Sequence, residues 1–192
     1  MQMSYVLFTL SSCTLQSTSL NTNTRILPSV LKFNRIFCFS ILLVSANGSY
    51  AADWTEVRTL DGKFTTLSQH FEKGKWTLVM LWAANCGICR REYPVMSEFH
   101  DRHKDIDAKV IGVSLDGYSK LDMITRHIDE MPMSFNNLIG ELAVIAFSYQ
   151  SSTKEPLQGT PTYMMFNPQG QLVGHNPGPI GLEALEKFIQ SH

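Results

Sequence analysis

The run Trp76-Thr77-Leu78-Val79-Met80-Leu81-Trp82-Ala83 is apolar along nearly its whole length and stops three residues short of a close cysteine pair, Cys86-Gly87-Ile88-Cys89. A stretch this short, without polar alternation, reads as a central strand covered on both faces. A helix is expected to follow, from about Gly87 to His103. The order strand, cysteine pair, helix constrains the fold more tightly than any other feature of the chain. It also carries chemistry. A cysteine in the first turn of a helix faces unpaired backbone N–H groups and the positive end of the helix dipole, and both favour its thiolate. The dipole contributes about 0.3–1 kcal/mol, at most about 2, and one pKa unit corresponds to about 1.36 kcal/mol. The helix can therefore lower a thiol pKa of about 8.5 by around one unit. Cys86 is the expected attacking sulfur; Cys89, one turn deeper, is the expected resolving one.

Close cysteine pairs have other uses. A zinc site needs two more ligands, yet the chain has no second pair and its six histidines show no matching spacing. A structural disulfide here would close a very small loop and add little stability. Redox exchange is the reading that fits, and no metal site and no cofactor beyond a redox-active Cys86–Cys89 disulfide are expected.

The N-terminal region differs in charge from the rest. No Asp or Glu precedes Asp53, whereas Arg25, Lys32 and Arg35 all do, leaving thirteen basic against seventeen acidic residues beyond. Lys32-Phe33-Asn34-Arg35 supplies a basic n-region, Ile36–Val44 a short apolar core, and Ser49-Tyr50-Ala51 small residues at a cleavage site before Ala52. The apolar run falls well short of the roughly 20 residues that span a bilayer. Residues 1–51 are therefore expected to be a cleaved targeting segment and 52–192 the working domain. Residues 1–29, rich in Ser, Thr and Asn, push the n-region far from Met1, so the expected start lies near Val30 or Leu31. Cys13 and Cys38 fall in this segment, and Phe37 before Cys38 does not suit lipid attachment. The mature chain then keeps one cysteine pair and has no disulfide framework, so its cysteines are there for chemistry. With a net charge of -1, no nucleic-acid partner is indicated.

From Asp53 the pattern is mixed α/β. Strands are expected at Trp54–Arg58 and Phe64–Leu67, with a turn between them, then a helical turn at Ser68–Phe71 capped by Ser68. After the central strand and its helix come a strand at Lys109–Ser114, a helix at Lys120–Glu130, a strand at Phe135–Ile139 and a helix at Leu142–Tyr149. A polar loop, Ser151–Gln158, precedes a hairpin of Thr162–Phe166 and Gln171–Gly174. An amphipathic helix, Gly181–Gln190, closes the chain. Strands alternating with helices argue for an α/β layer fold, here with an antiparallel edge.

Trp82-Ala83-Ala84-Asn85-Cys86-Gly87-Ile88-Cys89-Arg90-Arg91-Glu92-Tyr93-Pro94 resembles the active-site signature of the TlpA/ResA-like thioredoxin-fold family. Gly159-Thr160-Pro161-Thr162-Tyr163 resembles that family's cis-proline loop, and Phe166–Gly174 the hairpin after it. The resemblance covers nearly all of residues 53–192. It implies a thioredoxin-like fold, a central mixed sheet flanked by helices, with the family's N-terminal hairpin and a central insertion between Val113 and Thr160. It also implies a periplasmic or otherwise extracytoplasmic thiol-disulfide oxidoreductase, more often a reductase fed by a membrane electron donor of the DsbD/CcdA type. Protein thiols and disulfides are the implied partners, and a monomer is expected. By the same resemblance Pro161 is a cis-proline facing the cysteines, and Thr160 offers backbone groups to substrate. Glu92, three residues beyond Cys89 on the same helical face, handles the proton of Cys89. Trp82 is grouped with Thr160 and Pro161 on the substrate side, although its place in the strand reads as core. Simple thioredoxins carry a buried Asp six residues before the first cysteine. Met80 stands there in this chain, which leaves Glu92 as the nearest acid.

Pro94 is expected to kink its helix. Asn85 stands where the family commonly has a second Trp, which bears on the substrate surface rather than the chemistry. The alternative from another class is a copper-delivery module on the same fold, with His175 as a third ligand. That group uses a wider cysteine spacing. A peroxidase is disfavoured because the Thr-x-x-Cys environment is missing. Gly87-Ile88 matches neither the familiar reductant nor the familiar oxidant dipeptide, so it does not fix the redox direction.

Overall fold

The computed structural model describes residues 56–192. The segment expected to be a targeting sequence, Cys13, Cys38 and the start of the strand expected at Trp54 lie outside the described residues. Within them, seven strands form one sheet: β1 (Val57–Thr59), β2 (Phe64–Thr65), β3 (Trp76–Trp82), β4 (Ala108–Ser114), β5 (Asn136–Gly140), β6 (Thr162–Phe166) and β7 (Leu172–Pro177), in the spatial order β2-β1-β5-β4-β3-β6-β7. The inner strands β5, β4 and β3 are parallel. Antiparallel pairs bound them on both sides, β1 with β2 and β6 with β7. This is a thioredoxin-like α/β fold.

Four helices cover the sheet: α1 (Gly87–His103), α2 (Leu121–Glu130), α3 (Leu142–Thr153) and α4 (Leu182–Ser191). Every residue of β3 is buried. The period of two along a strand sends Leu78, Met80 and Trp82 to one face and Val79 and Leu81 to the other. The first face packs against Cys89, Tyr93, Met96 and Phe99 of α1, Ile124 of α2, and Leu185 and Ile189 of α4. The second packs against Ile145 and Tyr149 of α3 and Leu67. A strand apolar on both faces can only sit between two such layers, which is why β3 holds the centre.

One close approach depends on glycine. Trp82 Nε1 donates to Asn137 Oδ1 at 3.0 Å across β4. A methyl group at Gly112 would overlap Asn137 and crowd Trp82. Gly112 is the gap through which strands β3 and β5 exchange this buried bond.

Several boundaries differ from expectation. The strand at Phe64 ends at Thr65, and Leu67–His70 forms a 3-10 turn that starts after Thr66. Ser68 does not cap it; its hydroxyl pairs with that of Thr66 at 3.1 Å. The segment expected to loop from Ser151 stays helical to Thr153, because Ser152 and Thr153 donate their hydroxyls back to the carbonyls of Ser148 and Tyr149. Lys154 then closes the helix in the left-handed conformation, φ 67°. β7 runs on past Gly174 to Pro177, paired with β6 along its length. Helix α1 continues unbroken through Pro94. Among the described residues no helix is long and apolar enough to cross a membrane.

Candidate active site

The carboxyl end of β3 leads into Ala83-Ala84-Asn85 and then into Cys86, the N-cap residue of α1. Ends of parallel strands are where open α/β sheets gather their sites. Cys86 and Cys89 are joined by a disulfide, with Cα atoms 5.2 Å apart. The Cys86 Sγ occupies the place of a capping oxygen and accepts the Cys89 backbone N–H at 3.1 Å. In the reduced protein the same N–H, with the helix dipole behind it, stabilises a Cys86 thiolate. Exposure separates the two sulfurs. Cys86 is half-buried between exposed Asn85 and Gly87, whereas Cys89 is sealed in the core beneath. An incoming disulfide can meet Cys86 first.

The loop before β6 closes the other side. The Thr160–Pro161 peptide is cis, and the Thr160 carbonyl oxygen lies 3.3 Å from the Cys86 Sγ. Sequence separation between these groups is 74 residues; the pairing of β3 with β6 brings them together.

Glu92 is half-buried on α1. Its Oε2 accepts the Tyr163 hydroxyl at 3.1 Å and the Ile180 N–H at 2.9 Å, so the carboxyl is tied to β6 and to the segment after β7. Burial and the adjacent carboxylate push the Tyr163 phenol far above its usual range, so it acts as a neutral donor. Met80, at the position of the acid of simple thioredoxins, is core.

Trp82 requires a correction. It is fully buried, so it offers no surface to a substrate. Its indole N–H is committed to Asn137, and its ring meets Tyr93 edge-on at 5.7 Å and stacks with His127 at 5.5 Å. It is a floor under the site, and its burial follows from its position on a strand covered on both faces.

Four residues of the site, Asp116, Arg90, Tyr163 and His127, were given no role by the sequence. Asp116 Oδ2 accepts the Ala84 N–H at 2.8 Å and the Ser114 hydroxyl at 2.9 Å, while Arg90 donates to the Ala84 carbonyl at 3.0 Å. The Ala84 peptide, two residues before Cys86, is thus held at both ends. Tyr163 anchors Glu92. His127, buried on α2, bonds through Nε2 to the Tyr93 hydroxyl at 3.1 Å. Burial first, and the nearby Arg90 next, lower its pKa, while Asp116 and Glu130 act the other way. The available signal was positional for Asp116, a polar residue just past the end of a parallel strand. Nothing local marked His127 or Tyr163.

His175, the candidate third copper ligand, is not gathered with the cysteines. Its Nδ1 pairs with the Tyr149 hydroxyl at 2.9 Å, and Tyr149 belongs to the core layer under α3, on the face opposite Cys89. Among the described residues no group of three or more His, Cys, Asp or Glu is arranged to hold a metal ion.

Known proteins fall in line with this geometry. The sequence profile of the AhpC/TSA family matches residues 48–175. Sporulation thiol-disulfide oxidoreductase A of Bacillus subtilis is 21% identical over 135 residues, covering 70% of this chain and 76% of that one. Alkyl hydroperoxide reductase C of Mycobacterium tuberculosis is 30% identical over 74 residues, 38% of each chain. Among solved structures, the thioredoxin domain of a thiol-disulfide oxidoreductase from Bacteroides vulgatus superposes with a TM-score of 0.57 at 23% identity, over 74% of this chain and 99% of that domain. The chain belongs to the AhpC/TSA family, and the curated relatives it resembles include thiol-disulfide oxidoreductases from Bacillus subtilis and Halalkalibacterium halodurans.

Proposed function

We propose that the protein is an exported thiol-disulfide oxidoreductase that works as a reductase on disulfides of other proteins. One observation carries the exchange reading: a half-exposed Cys86 Sγ that accepts a helix N-terminal N–H, with a buried Cys89 bonded behind it. In the reduced state the Cys86 thiolate attacks one sulfur of a substrate disulfide. A mixed disulfide forms, and the other substrate sulfur leaves and takes a proton. Cys89 then loses its proton, attacks Cys86 and expels the second substrate thiol. The substrate gains two electrons and the enzyme is left as the Cys86–Cys89 disulfide. Glu92, on the same helix face as Cys89, is assigned the proton that Cys89 loses. The Thr160–Pro161 loop lies where an extended substrate strand would pass the sulfur.

Export rests on the acid-free segment before Asp53 and on the Ser49-Tyr50-Ala51 cleavage site. An exported reductase needs electrons from across a membrane, so a membrane dithiol donor of the DsbD/CcdA type is the proposed partner. The deciding measurement is the reduction potential of the pair, read beside insulin reduction. A reductase is expected nearer the roughly −270 mV of thioredoxin than the roughly −120 mV of a strong oxidant such as DsbA. A value at the oxidising end overturns the direction, and inactive insulin reduction overturns the exchange. N-terminal sequencing from an exporting host should find Ala52 first; an intact, membrane-bound N-terminus refutes cleavage.

The 74-residue likeness to a hydroperoxide reductase favours one second reading, peroxide reduction by Cys86. Ala83 stands where the Thr of Thr-x-x-Cys would be, so peroxide consumption is expected to be slow beside disulfide exchange. Competition between the two oxidants for the reduced protein tests this.

A further inference from the structure

On the α2 side of the cysteine pair a cavity of ≈ 300 Å³ opens beside Asn85, the residue next to Cys86. Asn85 and Arg90 form one wall; Met123, Arg126, His127 and Glu130 of α2 form the other. The exchange chemistry uses none of these side chains.

Their bonding is incomplete in a telling way. His127 is only 6% exposed, its Nε2 is bonded to Tyr93, and its Nδ1 has no partner among the described residues. Among the described residues Thr77 Oγ1 alone is a buried side-chain polar atom without a partner, so Nδ1 is open to the cavity and free to meet a ligand there. Arg90 spends one terminal nitrogen on the Ala84 carbonyl, and Arg126 spends Nε on the Asp122 carbonyl. Among the described residues the rest of both guanidinium groups has no hydrogen-bond or ion-pair partner. Glu130 is exposed and has no ion-pair partner among the described residues. Arg126 and Glu130 lie four residues apart on α2, hence on one face and one turn apart. Asp116, the other nearby carboxylate, is not part of the lining and is bonded to Ala84 and Ser114.

The cavity therefore presents two cations, one anion and one open imidazole nitrogen beside Asn85, the chain neighbour of Cys86. A plain anion would meet Glu130, and a plain cation would meet both arginines. A group carrying a carboxylate and an ammonium on neighbouring atoms satisfies all of them. The volume sits at the lower end of small-molecule sites, too small for a folded partner's surface.

We propose that this cavity seats the α-amino-carboxylate head of a low-molecular-weight disulfide, a second substrate class for the Cys86–Cys89 pair. The proposal rests on the exchange reading above. The carboxylate lies toward Arg90 and Arg126, the ammonium toward Glu130, and His127 Nδ1 takes a remaining hydrogen bond. The seated disulfide places one sulfur at Cys86. The Cys86 thiolate bonds to that sulfur, the first small thiol leaves and takes a proton, and Cys89 displaces the second. Two electrons pass from the dithiol to the small disulfide, giving two small thiols and the Cys86–Cys89 disulfide.

Pre-reduced protein, oxidised by small disulfides under stopped flow, tests it. The disulfides are cystine and glutathione disulfide (both charges), cystamine (ammonium only), dithiodipropionate (carboxylate only) and bis(2-hydroxyethyl) disulfide (neutral). Leaving-group pKa differs among them, so each rate is divided by its rate with a free small thiol. Cystine, glutathione disulfide or both are expected to exceed the three others. A cystine preference alone seats the head beside the sulfur, and a glutathione preference alone seats it at the reach of a tripeptide. Arg126→Gln and Glu130→Gln should each lower the zwitterion-to-neutral rate ratio by up to ~5-fold, the size of one exposed ion pair. Equal ratios across all five disulfides, a preference for a singly charged one, or ratios unmoved in both variants overturn the proposal. Failure to react with the neutral disulfide as well overturns the exchange reading and this proposal together.

Discussion

Glu92 and Asp116 flank the cysteine pair on opposite sides, and each gives one carboxylate oxygen to two hydrogen bonds. Glu92 belongs to α1 itself, one turn beyond Cys89, and is bonded to the Tyr163 hydroxyl and the Ile180 N–H. Asp116 lies past the end of β4 and is bonded to the Ala84 N–H and the Ser114 hydroxyl. The partners make the difference. Asp116 bonds the peptide two residues before Cys86, so its role needs an acceptor oxygen and no charge. Glu92 bonds the far side of the domain and rides on the helix that carries Cys89, so its proposed role needs a group that gains and loses a proton. Two similar acids beside one disulfide are thus separable by asking whether an amide can replace them.

The largest effect comes from removing what lies between the two flanks. Cys86→Ser should abolish exchange, and Cys89→Ser should leave attack intact but trap covalent complexes with substrate, because only Cys86 is reachable from solvent. Alkylation of the reduced protein near neutral pH, followed by peptide mapping, should label Cys86 first. Preferential labelling of Cys89 would reverse the assignment.

Next come the acids themselves. Glu92→Gln keeps the shape and an acceptor oxygen but cannot take up a proton. Resolution of the mixed disulfide should slow by about 10²-fold, the low end for a positioned acid–base group, and more than its formation slows. Losing the charge should also lower at least one cysteine pKa, seen as thiolate absorbance against pH. Unchanged titration and rates would make Glu92 a structural acid like its counterpart. Asp116→Asn should change rates little, since the amide oxygen can still accept from Ala84. Asp116→Ala leaves the buried Ala84 N–H without its acceptor and should cost about 1–3 kcal/mol in urea unfolding. Equal effects of Asn and Ala would mean that the charge of Asp116 matters after all.

The same contrast explains what the sequence disclosed. Cys86, Cys89 and Pro161 were legible because their signals are local: a cysteine pair at the end of an apolar run, and a Gly-Thr-Pro before a strand. The order of strands and helices was legible because β3 is a continuous apolar run of strand length and the closing helix α4 is amphipathic. Glu92 was legible as a position but its bonds to Tyr163 and Ile180 were not, being 71 and 88 residues away. Asp116 and His127 reach the site across separations of 32 and 34 residues, which only the register of β3 with β4 and the packing of α2 on α1 create. Trp82 misled because closeness to Cys86 along the chain is not closeness to solvent on a strand buried on both faces. The helix beyond Tyr149 was missed because hydroxyl-rich segments read as loops until their side chains are seen bonding back to the helix.

The smallest expected effect sharpens the comparison through stability. The flank that holds Asp116 also holds His127, whose charge Asp116 influences, whereas among the described residues no histidine is bonded to Glu92. Burial and Arg90 lower the His127 pKa in the folded protein. At a pH just below about 6.5 the unfolded chain therefore binds a proton that the folded chain refuses. Stability is complete above that pH and falls as the solution is acidified through this window. One histidine can contribute a slope of at most about 1.4 kcal/mol per pH unit. His70 and His100 are shifted in the same direction, chiefly by burial, and lie away from the cysteine pair. His127→Gln should therefore reduce the acid loss of stability without removing it. Urea midpoints at pH 7.5 and pH 5.5 give the comparison, and the quantity to read is the difference between the two, because the substitution also disturbs packing against Trp82. An unchanged difference in the variant would show that His127 does not resist protonation in the fold, and that the acid sensitivity belongs to the other histidines and the carboxylates.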